Sequence, residues 1–151
     1  MTSDSKAMEA ALAEARFAAE AGEVPIGAVV VREGEIITRG QNRVLRDNDP
    51  TAHAEIVSIR EAARILANYR LNGCSLFVTL EPCAMCAGAV IHARLDRVVF
   101  AAADPKTGAC GSVLSVLNHP QLNHKMQVEQ GIMADEAGEL LRRFFRERRS
   151  V

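Results

Sequence analysis

Two short segments of this chain hold the residues whose types and spacing are suited to chemistry. In the first, Cys83 and Cys86 follow Pro82 and an apolar, β-branched run at residues 76–80. This pattern predicts a buried strand and then a helix, with Pro82 at the first helical position and both cysteines on one face of the first turn. The free N–H groups and the positive dipole end there stabilise thiolates, the form of cysteine that binds metals. Two thiolates are half of a tetrahedral zinc site.

The second segment is His53-Ala54-Glu55, and it supplies what a catalytic zinc site still needs. A neutral imidazole from His53 would be the third protein ligand, which leaves one coordination position open for water. Because two thiolates cancel the charge of Zn²⁺, that water should be less acidic than at an all-histidine site, where its pKa is about 7. A neighbouring carboxylate, Glu55, can take the proton and pass it on.

The cysteine pair has two other interpretations. A lone Cys-x-x-Cys is also typical of a redox pair, and a Cys/His set is typical of a closed structural zinc site. A redox pair does not account for the matched His-x-Glu segment. A structural site would require a fourth ligand, for which Cys74, Cys110 and His92 are available. The sequence therefore favours catalytic zinc while leaving these alternatives open.

Together the two segments resemble the signature of the zinc-dependent nucleobase deaminases. Longer matches narrow the resemblance to the bacterial tRNA-specific adenosine deaminases. They lie at residues 22–28 (Gly-Glu-Val-Pro-Ile-Gly-Ala), 49–55, 79–83, 104–108 (Asp-Pro-Lys-Thr-Gly) and 122–124 (Leu-Asn-His). The resemblance runs from about residue 8 to about residue 148. It implies a cytidine-deaminase-like fold, one zinc ion per subunit and a homodimer, to which the alanine-rich helix of the cysteine pair could contribute a packing surface.

The resemblance also implies the reaction, which is hydrolytic deamination of adenosine to inosine at the wobble position of a transfer RNA. In this family the substrate is the arginine tRNA with anticodon ACG, bound through its anticodon stem-loop. His53, Cys83 and Cys86 would bind the zinc, and Glu55 would protonate N1 of the flipped-out adenine and then the leaving ammonia. The implied substrate contacts are Asn42, Ala54, Asp104, Lys106, Asn123, His124, Phe144, Phe145 and Arg149.

Taken without the resemblance, several of these contacts have simpler interpretations. Asn42 follows a strand and is typical of a residue that hydrogen-bonds its own turn. The polar residues at 104, 106, 123 and 124 are ordinary for turns and surfaces. The last helix places five arginines around Phe144 and Phe145. That arrangement fits a solvated basic face above two core phenylalanines, or a phosphate-binding surface with an aromatic ring against an unstacked base.

Composition excludes several classes of protein. At 151 residues, with 48% hydrophobic and 25% charged residues, residues 1–151 are expected to form a single globular domain. Four cysteines give no disulfide framework and fit a reducing cytosol, so we expect a cytoplasmic protein. No apolar run approaches the ~18 residues of a membrane span, and the N-terminus is not typical of a signal peptide. A net charge of −1 indicates that any RNA contact is local.

Hydrophobic periodicity predicts an α/β protein. We expect helices at residues 8–21, 53–67, 83–94 and 135–149, strands at 26–31, 35–39, 75–80, 97–102 and 126–131, and a short helical piece at 113–117. Thr51 is a candidate cap for the second helix. Two strand–helix units beside an antiparallel hairpin favour a three-layer sandwich, with a five-stranded mixed sheet and helices on both faces.

Three functions are compatible with these motifs. The favoured one is the tRNA adenosine deaminase. A deaminase of free guanine or cytosine on the same fold is the enzymatic alternative. A zinc-stabilised RNA-binding module without catalysis is the non-enzymatic alternative, and Glu55 argues against it because a structural site has no use for a carboxylate beside an open position.

Overall fold

The computed structural model describes residues 1–149; Ser150 and Val151, the last two residues of the predicted domain 1–151, lie outside the described part. Within residues 1–149 the elements follow the predicted order. They are α1 (Asp4–Glu20), β1 (Gly27–Arg32), β2 (Glu35–Gln41), α2 (Ala54–Leu66), β3 (Cys74–Leu80), α3 (Ala84–Ala93), β4 (Arg97–Ala102), β5 (Gln127–Gln130) and α4 (Ala134–Arg149).

The strands form one sheet in the order β2-β1-β3-β4-β5. β1 pairs antiparallel with both β2 and β3, whereas β4 pairs parallel with β3 and with β5. The predicted five-stranded mixed sheet is therefore confirmed. Because β3 and β4 are parallel, Leu80 and Ala102 are paired at their carboxyl ends. The segments that leave these two strands begin side by side.

Helices cover both faces of the sheet, as predicted. Along β3, Leu76 and Val78 point to one face, where they pack with residues of α2 and α3. Phe77, between them, points to the other face and packs with residues of α1 and with Ala137 of α4. Alternate residues of β3 thus belong to two separate apolar clusters, one on each face of the sheet. Helices pack on both clusters, which gives the three-layer sandwich.

Two local predictions are wrong. Residues 113–117 are not a helix but part of a folded loop, because the N–H groups of Val113 and Leu114 both donate to the carbonyl of Gly108 and Cys110 pairs with Ser115 in an isolated bridge. Thr51 does not cap α2 either: its hydroxyl donates to Asp49 at 2.7 Å, and the residue at the N-cap is His53.

None of the helices within residues 1–149 is both long enough and apolar enough to cross a membrane.

Candidate active site

The three candidate metal ligands sit at the starts of two helices on the same side of the sheet. His53 is the N-cap of α2 and Cys83 is the N-cap of α3, and both have extended backbone conformations. Cys86 lies in the first turn of α3 and is fully buried. Pro82 precedes the N-cap rather than occupying the first helical position, so that prediction is off by two residues. The cysteines nevertheless meet the helix N-terminus as predicted.

The ligand atoms converge with the spacing that a tetrahedral ion requires. Nδ1 of His53 lies 3.6 Å from Sγ of Cys83 and 3.5 Å from Sγ of Cys86, and the three atoms are all within 4.8 Å of one another. Zinc–nitrogen and zinc–sulfur bonds of about 2.0 and 2.3 Å at tetrahedral angles give a nitrogen–sulfur separation of about 3.5 Å. The donor set and its dimensions therefore fit a zinc ion.

In the described part of the chain this group contains three potential ligands and no fourth. The cysteines and the histidine available for a closed structural site do not join it. Cys74 begins β3, at the opposite end of that strand from Cys83, and His92 is exposed on α3. Three protein ligands with an open position are the arrangement of catalytic rather than structural zinc.

The local electrostatics favour the metal-binding form of the first cysteine. Hydrogen bonds from Cys86 and His53 lower the pKa of the Cys83 thiol to about 3. The hydrogen bond to Cys83 in turn raises the pKa of the His53 imidazole. The same Cys83 sulfur, together with burial, raises the pKa of Cys86. The pair is thus built around a thiolate at Cys83, the form of the sulfur that binds a metal.

Glu55 is a buried carboxyl group beside these ligands. It lies in the first turn of α2, and only 4% of its surface is exposed. Its pKa is raised to about 7, mainly by burial and to a smaller extent by the negative charge of Cys83, while its own backbone N–H and the positive charge of His53 oppose the shift. A carboxyl group whose pKa is near neutrality can both accept and donate a proton at physiological pH.

A cavity of about 1060 Å³ opens above this group. His53, Glu55 and Cys83 lie on its lining. The other walls are apolar residues near the sheet, the loop after β4 and one side of α4, represented by Val24, Ile26, Leu80, residues 103–107, Leu141, Arg142, Phe145, Arg146, Arg148 and Arg149. The volume lies at the upper end of the roughly 300–1,000 Å³ of most small-molecule sites.

Comparison with known proteins decides the family. The family model for MafB19-like deaminases matches residues 2–149. The tRNA-specific adenosine deaminase of Bacillus subtilis is 48% identical over 149 residues, 99% of this chain and 92% of that protein. That of Agrobacterium fabrum is 50% identical over 142 residues, 94% of this chain and 93% of the relative. This chain belongs to the tRNA-specific adenosine deaminase family.

Solved structures agree with this membership and with the predicted cytidine-deaminase-like fold. A chain from a study of A-to-I editing by tRNA:A34 deaminases superposes with a TM-score of 0.87 at 48% identity, covering 89% of this chain and 98% of the other. A guanine deaminase from Nitrosomonas europaea superposes with a TM-score of 0.84 at 27% identity, covering 95% and 85%. The fold is therefore shared by deaminases of different substrates.

Four of the substrate contacts that the family resemblance implies line the cavity. They are Asp104, Lys106, Phe145 and Arg149. Asp104 organises its own turn, since its carboxylate accepts hydrogen bonds from the N–H groups of Lys106 and Thr107 and from the Thr107 hydroxyl. Lys106 is exposed on that turn. These four residues come from the loop after β4 and from α4, two elements on either side of the cavity.

The other implied contacts lie outside the cavity lining. Asn42 is buried, and its side-chain oxygen accepts a hydrogen bond from the N–H of Val44 at 3.2 Å, as its turn-forming interpretation predicts. Ala54 is buried in the first turn of α2. Nε2 of His124 lies 2.7 Å from the carbonyl oxygen of Leu95. Since β5 runs parallel to β4, the chain must return to the amino end of β4 before β5 begins, which carries Asn123 and His124 away from the cavity.

The two phenylalanines of α4 separate into different environments. Phe144 is 8% exposed and lies beneath the guanidinium of Arg148, 4.3 Å from the ring centre. Phe145 is 44% exposed, meets Phe144 edge-to-face at 5.5 Å, and lines the cavity. The core interpretation of this helix therefore holds for Phe144 and not for Phe145, whose binding role stays a prediction.

Two buried carboxylates that order loops around the site were not predicted from the sequence. Glu23 is 1% exposed and accepts hydrogen bonds from the N–H groups of Leu45 and Arg46 at 3.1 and 2.8 Å, which fixes the loop after Asn42. Glu81 is 3% exposed and binds the loop after β4. The sequence did contain a sign of these buried carboxylates. Each glutamate is a charged residue that adjoins a predicted buried strand, where the neighbouring residues are mostly apolar.

Proposed function

We propose that this chain catalyses the hydrolytic deamination of adenosine to inosine at the wobble position of a transfer RNA. The observation that carries the proposal is the placement of His53, Cys83 and Glu55 on the lining of a cavity that extends to the basic and aromatic residues of α4. The names of the family members that match nearly the whole chain support adenosine in tRNA as the substrate.

The cofactor of this reaction is proposed to be one zinc ion per subunit, held by His53, Cys83 and Cys86. Zinc at these ligands would supply the activated water that attacks C6 of the adenine. Glu55 would take a proton from the attacking water and would deliver protons to N1 of the ring and to the departing amino group. The reaction consumes one water and releases ammonia, so Glu55 ends the cycle in its starting protonation state. Its pKa of about 7 suits both directions of transfer.

The remaining cavity residues are proposed to hold the nucleotide. Val24, Ile26 and Leu80 give an apolar surface suited to a flat base. Phe145 offers an exposed ring for stacking with a neighbouring base, which is worth roughly 1–3 kcal/mol per base in single-stranded recognition. Lys106 and Arg149 place positive charge at the cavity for phosphates. Roles in substrate binding for Asn42, Ala54, Asn123, His124 and Phe144 stay predictions from the family resemblance.

A free-base deaminase is the second candidate, because a guanine deaminase shares the fold with a TM-score of 0.84. The two functions differ in what lies beyond the reacting base. An enzyme for free bases gains nothing from the basic and aromatic side of α4, whereas a tRNA enzyme must bind flanking nucleotides. The non-enzymatic alternative, an RNA-binding module, does not account for a buried Glu55 beside three ligands.

The deciding experiment compares kcat/KM for a purified anticodon stem-loop carrying ACG with kcat/KM for free guanine and free cytosine. We expect inosine to form in the stem-loop, and its kcat/KM to exceed that of both free bases. Faster turnover of guanine or cytosine than of the stem-loop would replace this proposal with the free-base function. Binding of the stem-loop without any deamination would favour the RNA-binding module.

A homodimer is also proposed, and the outer side of α3 is the surface that supports it. Ala84 and Met85 are exposed there. A Cβ atom added at Gly88 would meet nothing within 4 Å among residues 1–149, so the helix is uncovered at this point. A mass measurement in solution tests the assembly.

With a tRNA substrate, the cytoplasm is the proposed location. The shared sheet of residues 1–149 supports the predicted single domain.

A further inference from the structure

Glu81 is a buried carboxylate that the proposed chemistry leaves unused. It follows the last residue of β3 and precedes Pro82 and the candidate ligand Cys83. Only 3% of its surface is exposed. Burying a carboxylate costs free energy unless hydrogen-bond donors satisfy it. The donors that satisfy Glu81 therefore indicate its role.

All the donors come from one loop, residues 103–112. Oε1 of Glu81 accepts from the N–H of Asp104 at 3.0 Å and from the hydroxyl of Ser112. Oε2 accepts from the N–H of Cys110 at 2.9 Å and from the N–H of Ser112 at 3.1 Å. The N–H of Glu81 donates to the carbonyl of Ala102 at 2.8 Å, where the loop leaves β4. One side chain thus joins both ends of the loop to the segment before Cys83.

Gly108 allows the loop to close on this carboxylate. A Cβ atom at Gly108 would overlap the carboxylate of Glu81 and would lie 2.6 Å from the carbonyl oxygen of Asp104. That distance is far below ordinary van der Waals separation, so any larger residue would push the loop away. The backbone at Gly108 therefore lies closer to Glu81 than a residue with a Cβ atom would allow.

The part of the loop that Glu81 secures is a wall of the cavity. Residues 103–107 line it, and Lys106 is among them. The Asp104 side chain orders the turn itself, but its hydrogen bonds are all local to residues 104–107. The loop is also joined to the segment before Cys83 by the N–H of Ala109, beyond the turn, which donates to the carbonyl of Pro82 at 2.9 Å. The turn itself is joined through the N–H of Asp104, which donates to Glu81. The position of the wall relative to Cys83 thus depends on Glu81.

We propose that Glu81 is a positioning residue for substrate binding, whose carboxylate holds the 103–107 wall of the cavity at a fixed position relative to the metal ligand Cys83. The inference rests on the proposed function and deepens it. Glu81 acts through the loop, and its effect belongs to the binding of the nucleotide rather than to proton transfer.

Glu81→Gln tests this inference with a minimal change in shape. The amide replaces one acceptor oxygen with an NH₂ donor, which opposes the donating N–H groups of the loop. We expect the KM for the ACG stem-loop to rise about tenfold or more, because a hydrogen bond to a charged group is lost. We expect kcat to change by less than about threefold. Zinc should stay near one per chain. Hydrogen exchange at the N–H groups of Asp104, Cys110 and Ser112 should become faster.

Two further variants and one control accompany the measurement of KM in Glu81→Gln. Gly108→Ala displaces the loop without changing Glu81 and should raise KM in the same way. Ser112→Ala removes a single donor hydroxyl and should raise KM by a smaller factor. Glu61→Gln is the matched control, because Glu61 forms an exposed ion pair with Arg64 on α2. It makes the same chemical change and should leave KM, kcat and exchange at the loop unaltered.

Two results would overturn the proposal. In the first, the loop N–H groups exchange faster in Glu81→Gln while KM is unchanged, which makes the contact structural only. In the second, zinc and kcat are lost together, which makes Glu81 a support for Cys83. If Glu81→Gln does not fold, unchanged KM in both Gly108→Ala and Ser112→Ala overturns the proposal instead. If the wild-type chain does not deaminate the stem-loop, the proposed function fails, and hydrogen exchange and stem-loop affinity still decide the role of Glu81.

Discussion

A Cβ atom at Gly40 would overlap the hydroxyl oxygen of Ser58, so β2 and α2 are in direct backbone contact at this point. Two hydrogen bonds extend the contact. The Ser58 hydroxyl donates to the carbonyl of Ala28 at 3.1 Å, and the Thr38 hydroxyl donates to the carbonyl of Ser58 at 3.2 Å. This contact fixes the distance between the sheet and α2, whose first turn carries Glu55 and whose N-cap is His53.

Gly40→Ala should therefore disturb the metal centre from a distance. Overpacking of this kind costs about 1–3 kcal/mol, and the shift of α2 moves His53 away from the cysteines. We expect a lower Tm and a lower zinc content after dialysis against a weak chelator. Gly138→Ala is the matched control, since a Cβ there meets only the flexible end of the Arg142 side chain, at 3.1 Å. It should keep its zinc, and equal zinc loss in both variants would contradict the role of the Gly40 contact.

The three proposed metal ligands give a second prediction. His53→Ala, Cys83→Ala and Cys86→Ala should each lose zinc and activity together, because two protein ligands are too few to hold the ion. Cys74→Ser and Cys110→Ser should retain about one zinc per chain, measured by atomic emission on purified protein. Full zinc content in Cys83→Ala together with loss in Cys74→Ser would mean that the wrong cysteines have been assigned.

Glu55→Ala separates chemistry from binding. The variant should keep zinc and stem-loop affinity, because Glu55 is not one of the three converging ligands. Its rate of inosine formation should fall by at least roughly 10²–10⁴-fold, the usual contribution of general acid–base catalysis. Single-turnover kinetics with saturating enzyme measure this directly. Near-normal inosine formation would eliminate the proposed mechanism.

The convergence of His53, Cys83 and Cys86 could be predicted from the sequence more fully than the surroundings of the cavity. It could be predicted because the residue types that bind metals are few and these three lie at recognisable spacings. β4 was predicted at its observed bounds, Arg97–Ala102, because its apolar run is bounded by polar residues. The loop at 113–117 was not predicted correctly, because its conformation depends on hydrogen bonds to the Gly108 carbonyl rather than on local periodicity.

Tertiary packing also decided what adjacent residues do. Phe144 and Phe145 are identical in type and differ by about 100° around the axis of α4. Only the position of the helix on the sheet determines that Phe144 is buried and Phe145 exposed. Likewise, nothing in the local sequence indicates that Glu81 receives donors from residues 104, 110 and 112, since those residues are 23 to 31 positions away.

The separation of the two rings predicts two different phenotypes. Phe144→Ala should lower the free energy of unfolding by about 3 kcal/mol, as expected for a buried phenylalanine, and also release Arg148 from its stacked position. Phe145→Ala should leave stability nearly unchanged but weaken stem-loop binding by about 1–3 kcal/mol, the value of one base–aromatic stack. Urea unfolding and a fluorescence binding assay distinguish them. The reverse assignment of the two phenotypes would contradict the placement of Phe145 in the binding surface.

The last prediction concerns the charges that line the cavity. Lys106 and Arg149 approach it from different elements, and both are exposed. If each contacts a phosphate of the stem-loop, the double variant Lys106→Ala/Arg149→Ala should bind more weakly. Its plot of log affinity against log salt concentration should also be flatter by roughly 0.7–0.9 per lost contact. Arg148 is less suitable for this test, because its guanidinium stacks on Phe144.

Arg64→Ala is the matched control for the loss of positive charge. Arg64 lies in the last turn of α2, at the opposite end of that helix from His53, and pairs with Glu61. Its removal should leave the salt slope unchanged, because the effect of a surface charge is screened beyond about 8–10 Å at physiological salt. An equal fall in slope for Arg64→Ala would mean that net charge alone drives binding. An unchanged slope in the double variant would remove Lys106 and Arg149 from the RNA-binding surface.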